Sequence, residues 1–172
     1  MISKQIRSSK TRSGNIEKII SIERHSRTIA GGRIMSISAV AVVGNGKDRV
    51  GYGRGKALSV VGATTKAIND ATKNMKPARF NIKNKTIFYE DTVSYNATTL
   101  YIKPTRDTGV IASNTIKSVC MAAGIEHLVC KIHGSSNKAI VIKTFVDFLH
   151  SALSPQYFAK KRHIDLATLY DI

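Results

Sequence analysis

The strongest constraint on the fold is a stretch with glycine at every second position, Arg49-Val50-Gly51-Tyr52-Gly53-Arg54-Gly55-Lys56, followed by an alanine-rich segment. Alternation with a period of two predicts a β-strand whose glycines share one face. A face without side chains leaves room for the backbone of a ligand. Residues 57–75 carry small or apolar side chains at helical spacing, so they predict an amphipathic helix that Pro77 ends.

The residues before this strand predict a helix, a loop and a further strand. Apolar side chains at positions 16, 19, 20 and 22 predict a short helix over residues 16–22. Residues 24–33 follow as a basic contact loop, with three arginines around Gly31-Gly32. Alternation over residues 34–43 predicts a half-buried strand, and residues 44–48 supply the turn that leads into the glycine strand.

Residues 78–84 are polar and basic, and we interpret them as a domain boundary. Beyond it, the pattern predicts strands over 86–89, 98–102 and 128–132, a helix over 115–123 that ends at Gly124, and a helix or strand–helix pair over 139–149. Ser154-Pro155 opens a polar tail. The predicted organisation is a basic arm (1–15), a first domain (16–80), a second domain (81–153) and a tail (154–172).

The net charge points to a polyanionic partner. The chain has 172 residues, 27 Lys and Arg, 11 Asp and Glu, and a net charge of +16, of which the first 80 residues carry +12. Basic side chains displace condensed counterions from phosphates, so we expect the nucleic-acid contact mainly on the N-terminal half. Cys120 and Cys130 have no zinc-module spacing and read as small core residues in a reducing compartment.

The sequence lacks the motifs that common enzymes and cofactor sites require. The GxGxxG pattern that starts at Gly44 has Arg49 in place of its third glycine. A Walker phosphate-binding loop would need a glycine in place of Val50 and a serine or threonine in place of Ala57. The five histidines form no metal-binding pair, and Glu90-Asp91 point apart on a strand. The sequence therefore predicts no catalytic residues, no metal and no cofactor. No apolar run is long enough to span a membrane, and no secretory signal is present.

The first fourteen residues leave two interpretations open. They carry four basic residues, four serines and no acid, which is typical both of a mitochondrial transit peptide and of an arm that threads into RNA. We therefore expect either a cytoplasmic or an organellar location.

The motif pattern resembles the bacterial-type small-subunit ribosomal protein S-five family almost from end to end. The resemblance rests on Gly31-Gly32-Arg33, on the glycine strand with its alanine-rich helix, and on Lys103-Pro104, Thr108-Gly109, Gly134-Ser135-Ser136-Asn137 and the tail Ala159-Lys160-Lys161-Arg162. It implies an α+β fold, with an N-terminal domain similar to double-stranded-RNA-binding folds followed by a small C-terminal α/β sandwich domain of the family's second-domain type.

The resemblance also implies partners and residues that contact them. Small-subunit (16S-type) rRNA is expected to contact Arg24, His25, Ser26, Arg27, Gly31, Gly32, Arg33, Lys47, Arg49, Tyr52, Arg54 and Lys56. Residues 24–33 resemble the loop that packs against rRNA near the spectinomycin site. A protein interface, toward the S-four and S-eight neighbours, is expected at Arg106, Asp107, Thr108, Gly109, Ser113 and Asn114. This chain departs from the family there, with one glycine fewer before Thr108 and with Ser113-Asn114 in place of a glycine pair.

The implied function is that of a structural constituent of the small ribosomal subunit. It would bind rRNA and support assembly, decoding accuracy and the region where mRNA enters. Two alternatives are a free-standing double-stranded-RNA-binding protein and an RNA-modifying enzyme. The complete second domain argues against the first alternative, and the missing catalytic groups argue against the second.

Overall fold

Two β-sheets and four helices make up the part of the chain that the structure describes. The computed structural model describes residues 9–10 and 14–165. In chain order the elements are β1 (Ser9–Lys10), β2 (Ile16–Ile29), β3 (Gly32–Gly44), β4 (Arg49–Ala57), α1 (Val60–Lys73), β5 (Lys76–Pro77), β6 (Asp91–Tyr95), β7 (Thr98–Pro104), β8 (Val110–Ile111), α2 (Asn114–Ala123), β9 (Leu128–Gly134), α3 (Lys138–Ser151) and α4 (Pro155–Arg162).

The elements form alternating layers. The first sheet has the order β1-β2-β3-β4-β5 and is antiparallel throughout. The second has the order β6-β7-β9-β8, with β8 parallel to β9. Helix α1 packs on one face of the first sheet, while α2 and α3 lie between the two sheets. The predicted α+β fold is confirmed.

The glycine strand forms as predicted, but its bare face receives a helix rather than a ligand. A Cβ added to Gly53 would lie 2.2 Å from the backbone nitrogen of Ala71, and one added to Gly55 would lie 2.1 Å from the carbonyl oxygen of Ala63. Ala63, Ala67 and Ala71 form the buried stripe of α1. The interpretation of this face as space for a ligand backbone is therefore wrong, because the backbone of α1 occupies it.

Strand β3 is buried on both faces over its second half, from Ser38 to Gly44. On one face Ala39 and Ala41 pack with the alanines of α1. On the other face Val40 and Val42 join a larger core that includes the buried side chains of α2, α3 and β7. Cys120 and Cys130 are free thiols in this second core, which confirms their prediction as core residues.

Two local predictions are corrected, and the predicted tail gains a helix. Residues 16–22 belong to strand β2, in which the register shifts between Ile19 and Ser21. Residues 86–89 contribute only an isolated bridge from Thr86 to Asn81, and the strand begins at Asp91. The polar tail that Ser154-Pro155 opens begins as helix α4, because Ser154 takes the N-cap position and Pro155 the first helical position.

Two further predictions concern the chain termini and membranes. Apart from Ser9–Lys10, which pair with Ile16 and Glu17, residues 1–13 lie outside the described part of the chain. The basic-arm prediction therefore stays a prediction. None of the described helices is long and apolar enough to cross a bilayer.

Candidate nucleic-acid interface

The most prominent basic feature is the outer part of the β2–β3 hairpin. The hairpin pairs Ile29 with Gly32 at its tip, and β4 accompanies β3 only as far as the pair Ile37–Ala57. Six residues separate Ile37 from Gly31, so a two-stranded ribbon projects roughly 20 Å at about 3.3 Å per residue. Every residue from 22 to 35 is exposed. What looked like a loop in the sequence is therefore a paired strand ribbon.

Alternation along the ribbon divides its basic residues between two faces. Arg24 and Arg33 lie on the face that carries α1, and the Arg24 guanidinium contacts the Met35 sulfur. His25 and Arg27 lie on the opposite face, in register with Ser36 and Ile34. The ribbon thus presents cations to both sides, as an element inserted between nucleic-acid segments would require.

The opposite face continues from the ribbon onto β4. His25 Nε2 lies 2.7 Å from Ser38 Oγ, and Ser38 pairs with Lys56. His25, Ser38, Arg54, Gly55 and Lys56 line an open pocket of about 450 Å³. The pocket therefore has a polar floor, the His25–Ser38 pair, beside the exposed cations Arg54 and Lys56. Ser38 was not predicted as a site residue, although its position on the strand face opposite Ala39 and Ala41 was visible in the alternation.

Few carboxylates neutralise this surface. Glu23 Oε2 lies 3.9 Å from His25 Nε2, and among the described residues it is the one carboxylate found within 4.0 Å of a basic side chain of the ribbon. Among the described residues, no salt bridge involves the arginines of the ribbon or the two cations at its base, namely Arg24, Arg27, Arg33, Arg54 and Lys56. These cations are exposed and available for phosphate oxygens, with which arginine makes bidentate, charge-assisted hydrogen bonds.

The structure brings most of the predicted RNA-contact residues together and separates three. Those that lie on the ribbon or at its base are Arg24, His25, Ser26, Arg27, Gly31, Gly32, Arg33, Arg54 and Lys56. Lys47 and Arg49 lie beyond the far end of β3, whose last residue, Gly44, is twelve residues and so roughly 40 Å from Gly32 near the hairpin tip. Along β4, Arg49 is five residues and so roughly 17 Å from Arg54 at the ribbon base. Tyr52 is half-buried against the larger core. Its pKa is raised, mainly by burial and next by Asp147 on α3.

The predicted protein-contact residues flank strand β8 in the second domain. Arg106, Asp107 and Thr108 are exposed in the connection between β7 and β8, and Gly109 has φ +71. Ser113, at the N-cap of α2, has φ −64. Because that value is ordinary for an L-residue, the replacement of the family's glycine causes no backbone strain at Ser113.

Other charged groups surround the Arg106–Asp107 turn. Lys83, Lys85, Glu126 and His127 line an open pocket with these two residues, and Lys85 Nζ lies 2.5 Å from Glu126 Oε1. The mixed charge distinguishes this surface from the ribbon. It suits a protein neighbour with charges of both signs better than it suits a polyanion.

Neither a metal nor a catalytic site is evident in the described part of the chain. Among residues 9–10 and 14–165, no group of three or more His, Cys, Asp or Glu side chains is arranged to hold a metal ion. Burial raises the pKa of the Cys130 thiol to about 12 and raises the pKa of Cys120 as well. Thiols in this state are poor nucleophiles.

Comparison with known proteins identifies relatives for both domains. The family model described as "Ribosomal protein S5, N-terminal domain" matches residues 15–79, and "Ribosomal protein S5, C-terminal domain" matches residues 93–162. The protein named "Small ribosomal subunit protein uS5" in Francisella tularensis subsp. holarctica (strain LVS) is 40% identical over 152 residues, which cover 88% of this chain and 90% of the relative. The protein of that name in Buchnera aphidicola subsp. Baizongia pistaciae is 40% identical over 148 residues, which cover 86% and 85%.

Proposed function

Because the chain belongs to the ribosomal protein S5 family, we propose that it is a structural constituent of the small ribosomal subunit and that its β2–β3 ribbon holds rRNA. Members of this family are structural, non-enzymatic proteins of the small subunit, whose partners are rRNA and other ribosomal proteins. The proposal adds the residues through which this chain would meet the RNA.

The observation that carries the proposal is the exposed, largely unneutralised set of cations on a projecting, strand-paired ribbon. Residues 22–35 bury little surface against the rest of the described protein, so the ribbon is free to insert between segments of a partner. Arginines on both faces match a partner with phosphates on two sides. The ribbon is already paired along its length, so binding orders few backbone torsions.

The finer expectations about neighbours belong to the same proposal. The mixed-charge surface at residues 106–109, with Ser113 and Asn114, would contact the S-four and S-eight proteins. Through these contacts the chain would influence decoding accuracy and the region where mRNA enters. The ribbon would lie near the spectinomycin site, so changes at residues 24–33 would alter the response to the drug. The chain would work in ribosomes of a bacterial cytoplasm or of an organelle.

The test compares ribbon arginines with a matched cation elsewhere. Arg27→Ala should weaken binding to small-subunit rRNA and lower the slope of log K against log salt by roughly 0.9, the contribution of one phosphate contact. The control is Lys131→Ala, which removes an exposed cation from β9 in the second domain and should leave the slope unchanged. A slope for Arg27→Ala equal to that of the parent protein would refute the phosphate contact.

Ribosome membership needs its own measurement. The chain should sediment with small-subunit rRNA in a sucrose gradient, at low salt and at salt strong enough to strip loosely held basic proteins. A purely electrostatic association loses affinity steeply as salt rises. A chain at the top of the gradient in both conditions would favour a free RNA-binding protein instead.

A further inference from the structure

We propose that Met35 on the β2–β3 ribbon is a site of reversible oxidation by peroxide, and that its sulfoxide form withdraws the Arg24 guanidinium from RNA. The inference rests on the proposed function, because it concerns how strongly the ribbon holds rRNA. It adds a modification site that regulates this binding in the protein before assembly. Three features carry it: the backbone register, the exposure of the sulfur, and the surroundings of Arg24.

The strand register places Met35 beside Arg24. Arg24 pairs with Ile37, and Ser26 pairs with Met35, so Arg24 and Met35 are diagonal neighbours on the face that carries α1. Diagonal neighbours on one face of a sheet lie roughly 7–8 Å apart, within the reach of long side chains. The Arg24 guanidinium donates to the Met35 sulfur. The contact therefore follows from the backbone pairing and exists before any oxidation.

The Met35 sulfur is placed where an oxidant in solution can reach it. Met35 is 44% exposed and lies on the outer part of the ribbon, where every residue from 22 to 35 is exposed. In the reaction the thioether sulfur attacks one oxygen of hydrogen peroxide, the O–O bond breaks, and the second oxygen leaves as water. The sulfur is oxidised by two electrons to a sulfoxide, and methionine sulfoxide reductases restore the thioether.

Oxidation changes the group that the side chain of Met35 offers to Arg24. A thioether sulfur is a weak acceptor, whereas the sulfoxide is polar. A hydrogen bond from the guanidinium to the sulfoxide oxygen is charge-assisted, and such bonds are roughly twice as strong as neutral ones. Because the two side chains are already in contact, the new bond requires little additional ordering. RNA must then break this bond before Arg24 can bind a phosphate.

No carboxylate competes for Arg24 within the described part of the chain. Glu23, its neighbour along β2, lies on the opposite face of the ribbon with His25. Arg24 forms no salt bridge with any described residue. The reduced protein therefore leaves this guanidinium available to phosphates, and the oxidation state of Met35 controls that availability.

Met121 provides an internal comparison. It is 60% exposed, and its sulfur lies 3.3 Å from Lys18 Nζ, so it combines the same two groups, a sulfur and a cation. Lys18 pairs with Val42, which is seven residues and so roughly 23 Å from Met35 along β3. Peroxide should oxidise both methionines, but only the change at Met35 should alter RNA binding.

The experiment treats the full-length protein with hydrogen peroxide until mass spectrometry shows one added oxygen at Met35, and then measures binding to small-subunit rRNA over a range of salt concentrations. One phosphate contact contributes roughly 0.9 to the slope of log K against log salt, which is about eightfold in affinity at 0.1 M relative to 1 M salt. The oxidised parent should bind about threefold to eightfold more weakly than the reduced parent, eightfold being the complete loss of one contact. Methionine sulfoxide reductases should restore the affinity.

Three variants serve as controls. Met35→Leu, which conserves volume, should bind like the reduced parent and keep its affinity after peroxide. Met121→Leu should lose affinity on oxidation as the parent does. Arg24→Ala should bind more weakly at the outset and lose nothing further. Equal affinity of the oxidised and reduced parent, or the parent's full loss on oxidation in either Met35→Leu or Arg24→Ala, would overturn the proposal.

The ribbon variants distinguish a failure of this inference from a failure of the proposed function. If Arg27→Ala lowers the salt slope while the oxidised parent binds like the reduced parent, the ribbon binds rRNA and the oxidation inference is wrong. If Arg27→Ala and Arg24→Ala both keep the slope of the parent, the ribbon assignment fails and the oxidation inference fails with it.

Discussion

Replacing Gly53 by alanine should destabilise the protein strongly, because the added methyl group has nowhere to go. The Cβ would lie 2.2 Å from the Ala71 nitrogen and 2.3 Å from the Ala67 carbonyl oxygen. Both are backbone atoms of α1, so no side chain can rotate away and the whole helix must move. Overpacking of a core costs about 1–3 kcal/mol, occasionally more. Since backbone yields less than side chains, we expect a loss of about 3 kcal/mol in the free energy of unfolding.

The assay is equilibrium unfolding in urea followed by far-ultraviolet circular dichroism. With an m-value of about 2 kcal/mol per molar urea, a loss of 3 kcal/mol lowers the midpoint by about 1.5 M. The melting temperature should fall by about 6–12 °C for a chain of this size. Gly31→Ala is the control: its Cβ would meet nothing within 4 Å and its φ is not positive, so its stability should stay within about 0.5 kcal/mol of the parent.

The same measurement separates the two interpretations of the glycine face. If the face accommodated a ligand backbone, Gly53→Ala would fold with unchanged stability and would bind RNA less tightly. If α1 occupies it, stability falls. An unfolding midpoint equal to that of Gly31→Ala would refute the close contact between β4 and α1 and the argument built on it.

Two other predictions concern titratable groups in the core. His150 has a pKa lowered mainly by burial, and its Nε2 lies 3.1 Å from the Val50 carbonyl oxygen. Since the unfolded state then binds a proton more readily than the native state, the free energy of unfolding should fall as pH drops below about 6.5. His150→Gln should reduce that pH dependence in urea titrations at pH 7 and pH 5, and an equal dependence in the variant would refute the assignment. Cys120 and Cys130, both buried with raised pKa values, should not react with an aromatic disulfide reagent at pH 8 in the native protein and should both react in denaturant; rapid native reaction would contradict their burial.

The sequence predicted the regular elements where one physical rule dominated. Helix α2 ends at Gly124, which has φ +89, and glycine adopts that left-handed conformation without cost. The prediction of a helix over residues 16–22, which belong to β2, was wrong for an identifiable reason. The register shift between Ile19 and Ser21 leaves Ile20 without a pairing partner, yet buried in the larger core. A bulge breaks the alternation of two, and apolar residues at 16, 19, 20 and 22 then imitate the period of a helix.

The glycine face shows a different limit of sequence reasoning. Absent side chains indicate that something approaches closely, but they carry no information about whether a ligand or another part of the same chain does so. Here the complementary signal was present in the sequence. Ala63, Ala67 and Ala71 recur every four residues, and a stripe of small residues on the next helix is what a flat glycine surface accommodates. Considered together, the two patterns predict each other as partners.

The separation of the predicted contact residues into two groups follows from the direction of the strands. Residues 24–33 and 54–56 are distant in sequence but meet near one end of the sheet, because β3 runs away from the tip and β4 runs back toward it. Residues 47–49, numerically between them, must lie at the opposite end. A count of basic residues along the chain does not distinguish these three segments, so it predicts a single basic surface. Two antiparallel reversals divide that single count between the ribbon end and the turn end of the first sheet, because each reversal sends the chain back along the strand before it.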